Sequence, residues 1–549
     1  MTMITSIIAA GLLCSGCNIH DAMRNSIFNV SMAGEAGIEQ EYAQNPEFKY
    51  RARSQTGAYL SSRVARISND WEAASYYFDR VVDQDSEDSS VRYQAMVMAM
   101  NAGRYDESIL HADFLLGSKD VNALSNVIAA MGALRDGDLR PAQAALEPMP
   151  DDALAQLIKG PMQAWVYVFL DKPELLDALD LSKSFVLYQA IIAADVANKQ
   201  ELVASLAAKP ADLAELPPAL QQQLSVIFKR RDVQYKSALI ATDGTSQPRE
   251  VLDIREGVAW VYYDLAMPLY LQYQNETGRL LFHMALALVP DLTEARIRIA
   301  EYAAMSGRTD EAIQVLQNVS PESDSYQLVQ KLIAELMVDN GEVEPALDIL
   351  EAMAKQRNDI SLYVQIGGIY ATHNKLSNAL KAYNRALEIA EENGEEGYWQ
   401  VFFARGRIYD AMGNWHNAEE DLLTALKYQP TQPVILNYLG YSWADRGVNL
   451  DKALEMIEQA VGLEPNDGSM RDSLGWVYFR LGSYKKATEH LERAATLMPY
   501  DPVVNSHLGD AYWQVGRRAE AEFQWKRALN NNEGDEKLTT ELEEKLSRY

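Results

Sequence analysis

Histidines are the first side chains to consider for metal binding or acid–base catalysis, because imidazole serves in both. The chain has seven, namely His20, His111, His283, His373, His416, His490 and His507. No two of them are three or four residues apart, the spacing that places two ligands on one face of a helix. The sequence therefore predicts no metal site and no cofactor.

One segment comes close to the Gly-x-Ser-x-Gly motif of serine hydrolases. Gly440-Tyr441-Ser442-Trp443-Ala444 ends in alanine and has a helical pattern, whereas the motif requires a strand-to-helix turn. The chain has no phosphate-binding P-loop and no His-Glu-x-x-His motif. We predict a protein that is not an enzyme and has no small-molecule substrate; a site hidden within residues 151–241 is the enzymatic alternative.

The net charge of the chain limits the classes of partner that it can bind. The chain of 549 residues has 78 acidic and 50 basic side chains, which gives a net charge of −28. Nucleic-acid binding needs clustered Lys and Arg to contact phosphates, so we predict no nucleic-acid partner. No run of 18 or more apolar residues appears, so a mature membrane-spanning helix is not expected.

A repeat dominates the C-terminal half. Gly406, Gly440, Gly475 and Gly509 are 34, 35 and 34 residues apart, and an aromatic residue follows each of them by three positions. A second glycine then precedes an alanine, a bulky apolar residue and another alanine. The bulky residues are Leu422, Ile457, Leu491 and Trp525. Small residues at a fixed period indicate helices whose backbones approach closely.

The pattern resembles the tetratricopeptide repeat, whose period is about 34 residues. The resemblance implies an all-α fold, a right-handed superhelical solenoid of antiparallel helix pairs. Weaker copies continue upstream, and the breaker segment 242–248 is the best internal boundary. We predict degenerate helical repeats over 46–241, the main array over 251–534 and a capping helix over 535–549.

The first seventeen residues carry no charge, and a short apolar stretch ends at Cys14-Ser15-Gly16-Cys17. Small residues before a cysteine resemble the bacterial lipoprotein signal, although Cys14 replaces the usual leucine and the basic start is missing. The resemblance implies a signal over 1–17, lipidation of Cys17 and a flexible tether over 18–45. It places the protein at the outer membrane, on the periplasmic side; a cytoplasmic location is the alternative.

In tetratricopeptide arrays the first helix of each pair lines a concave groove. The resemblance implies a protein- or peptide-binding groove at positions fixed relative to the framing glycines. These are Phe403, Arg407, Asn437, Tyr441, Asp445, Asp472, Trp476, Phe479, Arg480, Asp510 and Trp513. Aromatic residues flanked by charges suit a peptide or partner helix. Whether these aromatics face the groove or pack against the next repeat stays open at this point.

The combination of a lipoprotein-type start and a long repeat array resembles outer-membrane repeat lipoproteins that tether a periplasmic processing protease and bring it substrates such as cell-wall hydrolases. The expected function is a non-enzymatic scaffold or adaptor. One alternative is a component of an outer-membrane assembly, secretion or polysaccharide-export machine. The other is a cytoplasmic adaptor, if the N-terminal segment is not a signal.

Lipidation of Cys17 can be tested directly. Cells grown with a clickable fatty acid should label the full-length protein, and Cys17→Ala should remove the label because no acceptor thiol remains at the modification site. Cys14→Ala is the matched control and should keep the label. Equal labelling of the wild type and Cys17→Ala would contradict the anchor.

Overall fold

The computed structural model describes residues 54–82, 87–119, 121–233, 235, 249–273, 276–394 and 397–547. Every regular element within these ranges is a helix, so the predicted all-α fold class is confirmed. None of the described helices is both long enough and apolar enough to cross a membrane. Cys17, the predicted signal and the predicted tether lie outside the described residues.

Two sets of α-helices follow one another along the chain. The first set is α1 (Gln55–Ile67), α2 (Trp71–Val82), α3 (Ser89–Asn101), α4 (Tyr105–Leu116), α5 (Ala123–Arg135), α6 (Leu139–Leu146), α7 (Ala153–Phe169), α8 (Ser184–Val196), α9 (Gln200–Ala207), α10 (Pro218–Arg231), α11 (Ile254–Tyr273), α12 (Glu276–Leu288), α13 (Thr293–Met305), α14 (Thr309–Gln317) and α15 (Tyr326–Asp339). The second set is α16 (Val343–Arg357), α17 (Ile360–Thr372), α18 (Leu376–Asn393), α19 (Trp399–Ala411), α20 (Trp415–Tyr428), α21 (Pro433–Arg446), α22 (Leu450–Leu463), α23 (Gly468–Arg480), α24 (Tyr484–Leu497), α25 (Pro502–Gln514), α26 (Arg518–Asn531) and α27 (Glu536–Ser547).

These helices form two compact units. The described residues up to Glu342 form the N-terminal unit, and those from Val343 onward form the C-terminal unit. The segment 242–248, which the sequence favours as the boundary, lies outside the described residues, and the described residues on both sides of it belong to the N-terminal unit. The reason is that α11 and α12, which follow that segment, pack against α7, α5 and α3.

The helix pair α11–α12 is held tightly in the N-terminal unit. A Cβ atom on Gly257 in α11 would lie 2.1 Å from the ring of Trp165 in α7, so only glycine permits this approach. Tyr262 is fully buried, and its hydroxyl lies 3.4 Å from the sulfur of Met162. In α12, every residue from Gly278 to Leu288 is buried. This pair is therefore core.

Irregular helix lengths explain why residues 151–241 could not be phased from the sequence. The helix α7 has 17 residues and contains Pro161, and the next pair begins only after a 3-10 turn at Pro173–Ala178. The helix α9 has only eight residues, and a second 3-10 turn at Leu213–Glu215 precedes α10. Because the lengths of the helices and of their connections vary, this segment has no constant sequence period, although its helices still pack against one another.

The framing glycines of the C-terminal unit mark close contacts within helix pairs. A Cβ atom on Gly475 would lie 2.5 Å from Leu491, and one on Gly509 would lie 2.5 Å from Trp525. A Cβ atom on Gly440 would lie 2.7 Å from Ile457, and one on Gly406 would lie 3.1 Å from Leu422. Each glycine thus lies against the bulky residue of its own repeat.

The second glycine of each repeat ends the first helix. Gly413, Gly447, Gly482 and Gly516 have φ between 70° and 84°, a left-handed conformation that side chains disfavour. Gly447 occupies the C-cap position of α21, and its amide donates to a carbonyl in that helix. The positive φ explains why glycine recurs at this position in each of the four repeats.

A hydrogen bond from the signature aromatic links successive pairs. The hydroxyl of Tyr478 in α23 donates to Glu458 in α22, and that of Tyr512 in α25 donates to Glu492 in α24, both at 2.8 Å. A hydrogen bond to a carboxylate is stronger than one between neutral groups. The aromatic position therefore fills space with its ring and fixes the neighbouring pair with its hydroxyl.

The last helix covers the end of the repeats. Leu542 of α27 is fully buried, and Leu538 and Leu546 pack against the same hydrophobic core. The ammonium of Lys545 donates to Asp510 in α25 at 2.8 Å. An open array needs a terminal element whose outer face is polar, and α27 has this character.

The close contact at Gly475 can be tested with a matched pair of substitutions. Gly475→Ala should destabilise the C-terminal unit by about 1–3 kcal/mol, because the new methyl group displaces Leu491. Gly462→Ala should be neutral or stabilise by up to about 1 kcal/mol, because α22 has open space there. Thermal unfolding and hydrogen exchange of the α23 amides measure both; equal effects would contradict the close-contact explanation.

Candidate functional site

The first helices of four successive pairs, α19, α21, α23 and α25, contact one another in turn on one side of the C-terminal unit. We call this surface the first-helix face. Its centre is an aromatic cluster made of Tyr441, Trp476, Phe479 and His507. The ring of His507 lies 4.1 Å from that of Trp476 and 6.4 Å from that of Tyr441. One residue of α25 thus joins side chains of α21 and α23.

Trp476 lies in the middle of a stack. Phe479 is nearly parallel to it, with ring centroids 5.0 Å apart and an interplanar angle of 5°, and His507 is also stacked on it, at an interplanar angle of 17°. Trp476 remains half-buried, and its indole N–H has no acceptor among the described residues. Because Phe479 and His507 both lie against its ring, Trp476 can offer a partner only part of its surface. Trp476 thus packs against the next repeat and also keeps part of its surface on the first-helix face.

A buried ion pair supports the stack. Nδ1 of His507 lies 2.9 Å and 3.0 Å from the two carboxylate oxygens of Asp472, and both residues are less than a tenth exposed. Burial alone would lower the pKa of His507. The charge of Asp472, its hydrogen bond and the nearby charge of Asp510 outweigh burial and the opposing charge of Lys545, so the pKa is raised.

Four of the predicted groove residues are used inside the repeat structure. Phe403 is 6% exposed and packs edge-on against Tyr438, and Asp472 is buried beneath the stack. Asp510 accepts from the indole of Trp525 at 3.0 Å and from Lys545. Arg480 donates to the backbone carbonyl of Asp445 at 2.5 Å. These four residues hold helices together. Phe403 does so by packing, and the other three do so through hydrogen bonds to a neighbouring helix.

Trp513 takes part in a second contact, against α26. The guanidinium carbon of Arg518 lies 3.4 Å from its ring centroid, and the ring of Trp525 lies 5.5 Å away. Trp513 is half-buried. The aromatic residues predicted for the groove therefore fall into two groups, the aromatic cluster around Trp476 and the pair of Trp513 with Trp525.

Four predicted residues remain accessible on the first-helix face. Arg407 and Asp445 are exposed, whereas Asn437 and Tyr441 are half-buried. The side-chain carbonyl oxygen of Asn437 is buried and has no donor within the part of the chain that the structure describes, so it is not open to a partner in this conformation. Burial, followed by the charges of Asp445 and Asp472, raises the pKa of the Tyr441 phenol far above its usual value. The phenol thus stays protonated and can donate a hydrogen bond.

Sequence reasoning missed His507, which organises the cluster. It lies two residues before Gly509, whereas the only predicted groove position that precedes a framing glycine is the third residue before it. A search of the neighbouring position for titratable residues would have found it. Lys545 was missed because α27 falls outside the repeat period.

A cavity of about 540 Å³ lies in the N-terminal unit, between α12 and the helices α3, α5 and α7. Its wall includes the fully buried Val127, Ile158 and Met284, and the ion pair of Arg66 with Glu276 also lines it. None of its lining residues is a histidine, cysteine, lysine or serine. Among the residues described, no three histidine, cysteine, aspartate or glutamate side chains are grouped as metal ligands.

Comparison with known proteins identifies the repeat. Family models described as tetratricopeptide repeat match residues 360–393, 400–432 and 448–502. These segments contain α17, α18, α20, α22, α23 and α24 and nearly all of α19. They include the contacts of Gly406 with Leu422 and of Gly475 with Leu491, and the Tyr478 hydrogen bond described above. The chain therefore contains tetratricopeptide repeats.

A curated relative shares part of the sequence. Over 193 residues the chain is 26% identical to the TPR repeat-containing protein PA4667 of Pseudomonas aeruginosa. The alignment covers 35% of this chain and 26% of the relative, so it spans only about a quarter of that protein's length.

Solved structures with similarity include a tetratricopeptide repeat protein from Parabacteroides merdae. It is 17% identical, with a TM-score of 0.38, over 47% of this chain and 99% of that one. Another is TTC0263, a thermophilic TPR protein of Thermus thermophilus. It is 23% identical, with a TM-score of 0.30, over 34% of this chain and all of that one.

The pair of His507 with Asp472 should make the stability of the C-terminal unit depend on pH. Because the folded pKa is raised, the stabilisation is fully present below the unfolded value of 6.5 and is lost as the pH rises through the folded value. The Tm difference between the wild type and His507→Gln should therefore shrink from about pH 5 to about pH 9. A difference that stays constant or grows over this range would contradict the role of the charged pair.

Proposed function

We propose that this protein is a non-enzymatic scaffold that binds a protein partner on the first-helix face of its C-terminal unit. The coarse basis is the tetratricopeptide repeat itself, a module typical of protein-binding scaffolds. The finer proposal rests on which polar groups the repeat leaves accessible. Arg407, Asn437, Tyr441 and Asp445 retain exposure or hydrogen-bonding capacity beside a rigid aromatic cluster.

One observation carries this proposal: some residues of the first-helix face order its aromatic cluster, and others remain available to a partner. Asp472, His507 and Phe479 hold Trp476 in one orientation, so the centre of the face is already ordered before a partner arrives. Preorganisation lowers the entropy cost of binding. Along the face, the cation of Arg407, the anion of Asp445 and the phenol of Tyr441 provide both donors and acceptors. This combination suits the backbone and side chains of a peptide segment.

The N-terminal unit has a different role in the proposal. Its own helices α11 and α12 pack against α3, α5 and α7. The surface of these three helices that α11 and α12 cover is therefore not available to a partner. We infer that partner binding is concentrated on the C-terminal unit.

We further propose that the scaffold acts in the bacterial cell envelope, anchored through Cys17 at the outer membrane and facing the periplasm. There it would hold a periplasmic processing protease near substrates such as cell-wall hydrolases. Two binding sites on one tethered scaffold raise the effective concentration of one partner for the other without any new chemistry. This proposal rests on the N-terminal sequence and on the resemblance to repeat lipoproteins.

The partner surface can be mapped by photo-crosslinking in cells. A photoreactive residue replacing Asp445 should capture a defined partner, because this exposed position borders Tyr441 on the first-helix face. The same residue replacing Glu455, on the exposed side of α22, is the matched control and should capture little. Arg407→Glu, introduced together with the Asp445 crosslinker, should reduce capture at least several-fold by reversing one charge of the face.

The identity of the captured protein separates the alternatives. A periplasmic protease or cell-wall enzyme supports the adaptor function. An outer-membrane barrel or pore subunit points instead to an assembly, secretion or export machine, and a cytosolic protein points to a cytoplasmic adaptor. Equal capture at Asp445 and Glu455 would contradict binding on the first-helix face.

A further inference from the structure

The N-terminal unit contains a buried arginine that neither the repeat nor the proposed function explains. Arg279 of α12 is 2% exposed, and its guanidinium carbon lies 5.4 Å from the ring centroids of both Trp71 and Tyr302. Burying a guanidinium is costly unless its charge and its five N–H groups are satisfied. The surroundings of Arg279 satisfy them only in part.

A second arginine shares the acidic partner of Arg279. One oxygen of Glu311 accepts from Nη2 of Arg279 at 3.1 Å, and the other oxygen forms a close ion pair with Nη1 of Arg308. Two guanidinium groups are thus held side by side on a single carboxylate. We call Arg279, Arg308, Glu311 and Trp71 the arginine cluster.

Four N–H-bearing nitrogens of this cluster lack an acceptor among the described residues. They are Nη1 of Arg279, Nε and Nη2 of Arg308, and Nε1 of Trp71. All four are inaccessible to solvent in the folded chain, and all four are donors. Most buried polar groups in proteins are hydrogen-bonded, so four unpaired donors on neighbouring side chains indicate that the cluster lacks an acceptor.

The electrostatics also indicate too little negative charge. Burial, and then the charge of Arg308, lower the pKa of Arg279 to about 9. Burial lowers the pKa of Arg308 as well, although the neighbouring Asp70 opposes this. His283 adds no charge, because burial and the charges of Arg279 and Arg296 hold its pKa well below the usual value. Its neutral Nε2 faces Nε of Arg279 at 3.4 Å.

We propose that the arginine cluster is a binding site for a phosphate-type oxyanion, with Arg279, Arg308 and Trp71 as the donors and Glu311 as the residue that aligns the two guanidiniums. Arginine presents a planar set of N–H groups that matches phosphate oxygens and binds them bidentately. An oxyanion supplies acceptors to several donors at once and also the missing negative charge. A metal cation would meet two positive charges and is excluded by repulsion.

Access to the cluster favours a terminal group. The side chain of Arg308 is 17% exposed and that of Glu311 is 33% exposed, whereas Arg279 and Trp71 lie beneath them. A small anion or the end of a phosphomonoester that approaches from this side reaches the donors only after the Arg308 side chain moves, because all four donor atoms are inaccessible to solvent in the folded chain. The same chemistry can come from free phosphate or from a phosphorylated headgroup at a membrane surface.

The test is calorimetric titration of the full chain with inorganic phosphate. The wild type should show saturable binding at millimolar phosphate or below, and Arg308→Gln should weaken it by about tenfold or more because a charged, bidentate donor is removed. Trp71→Phe keeps the ring and removes one N–H, so a smaller loss, of several-fold, is expected. Arg140→Gln removes the same charge at an exposed position and should leave the affinity unchanged.

Circular dichroism and Tm of each variant check that the fold is retained, and Trp71→Phe still tests the site if Arg308→Gln fails to fold. Vesicles of phosphatidylcholine with and without phosphatidic acid form the second arm. Binding to the acidic vesicles that Arg308→Gln abolishes, together with little affinity for free phosphate, assigns the site to a headgroup. Equal affinity of the wild type, Arg308→Gln and Trp71→Phe for both probes, or no saturable binding to either probe, would overturn the proposal.

Discussion

The close approach of two helices at a framing glycine is the constraint on which the C-terminal unit depends. With no side chain on Gly475 or Gly509, the second helix can bring Leu491 or Trp525 against the backbone of the first. This contact sets the distance between the helices of a pair, and the repeated period transmits it from one pair to the next. Stability in such an array comes from these neighbouring contacts, since no single pair buries its apolar face alone.

Once the helix pairs are set, polar side chains fix their relative rotation. The hydroxyls of Tyr478 and Tyr512 reach glutamates on the preceding pair, and Arg480 reaches a backbone carbonyl at the end of α21. The same geometry brings His507 over Asp472 and against Trp476. The aromatic cluster is therefore a product of the repeat packing, and the residues around it are the ones left available to a partner.

The two units use the same kind of helix pair in different ways. In the C-terminal unit the first helices leave Arg407, Tyr441 and Asp445 accessible. In the N-terminal unit, α11 and α12 pack across earlier helices and bury polar groups that a short repeat would leave in water. The arginine cluster arises in this setting, because burial turns ordinary surface residues into donors that need an acceptor.

The sequence by itself determined the helix-pair fold, the close glycine contacts and the left-handed turn residues, because these follow from local spacing and backbone sterics. Only the tertiary structure decided that Phe403, Asp472, Asp510 and Arg480 serve the repeat contacts, and that His507 joins three helices. It alone placed α11 and α12 with the preceding helices. The reason is that burial and pairing depend on residues about 35 positions or more away, whose approach no local period specifies.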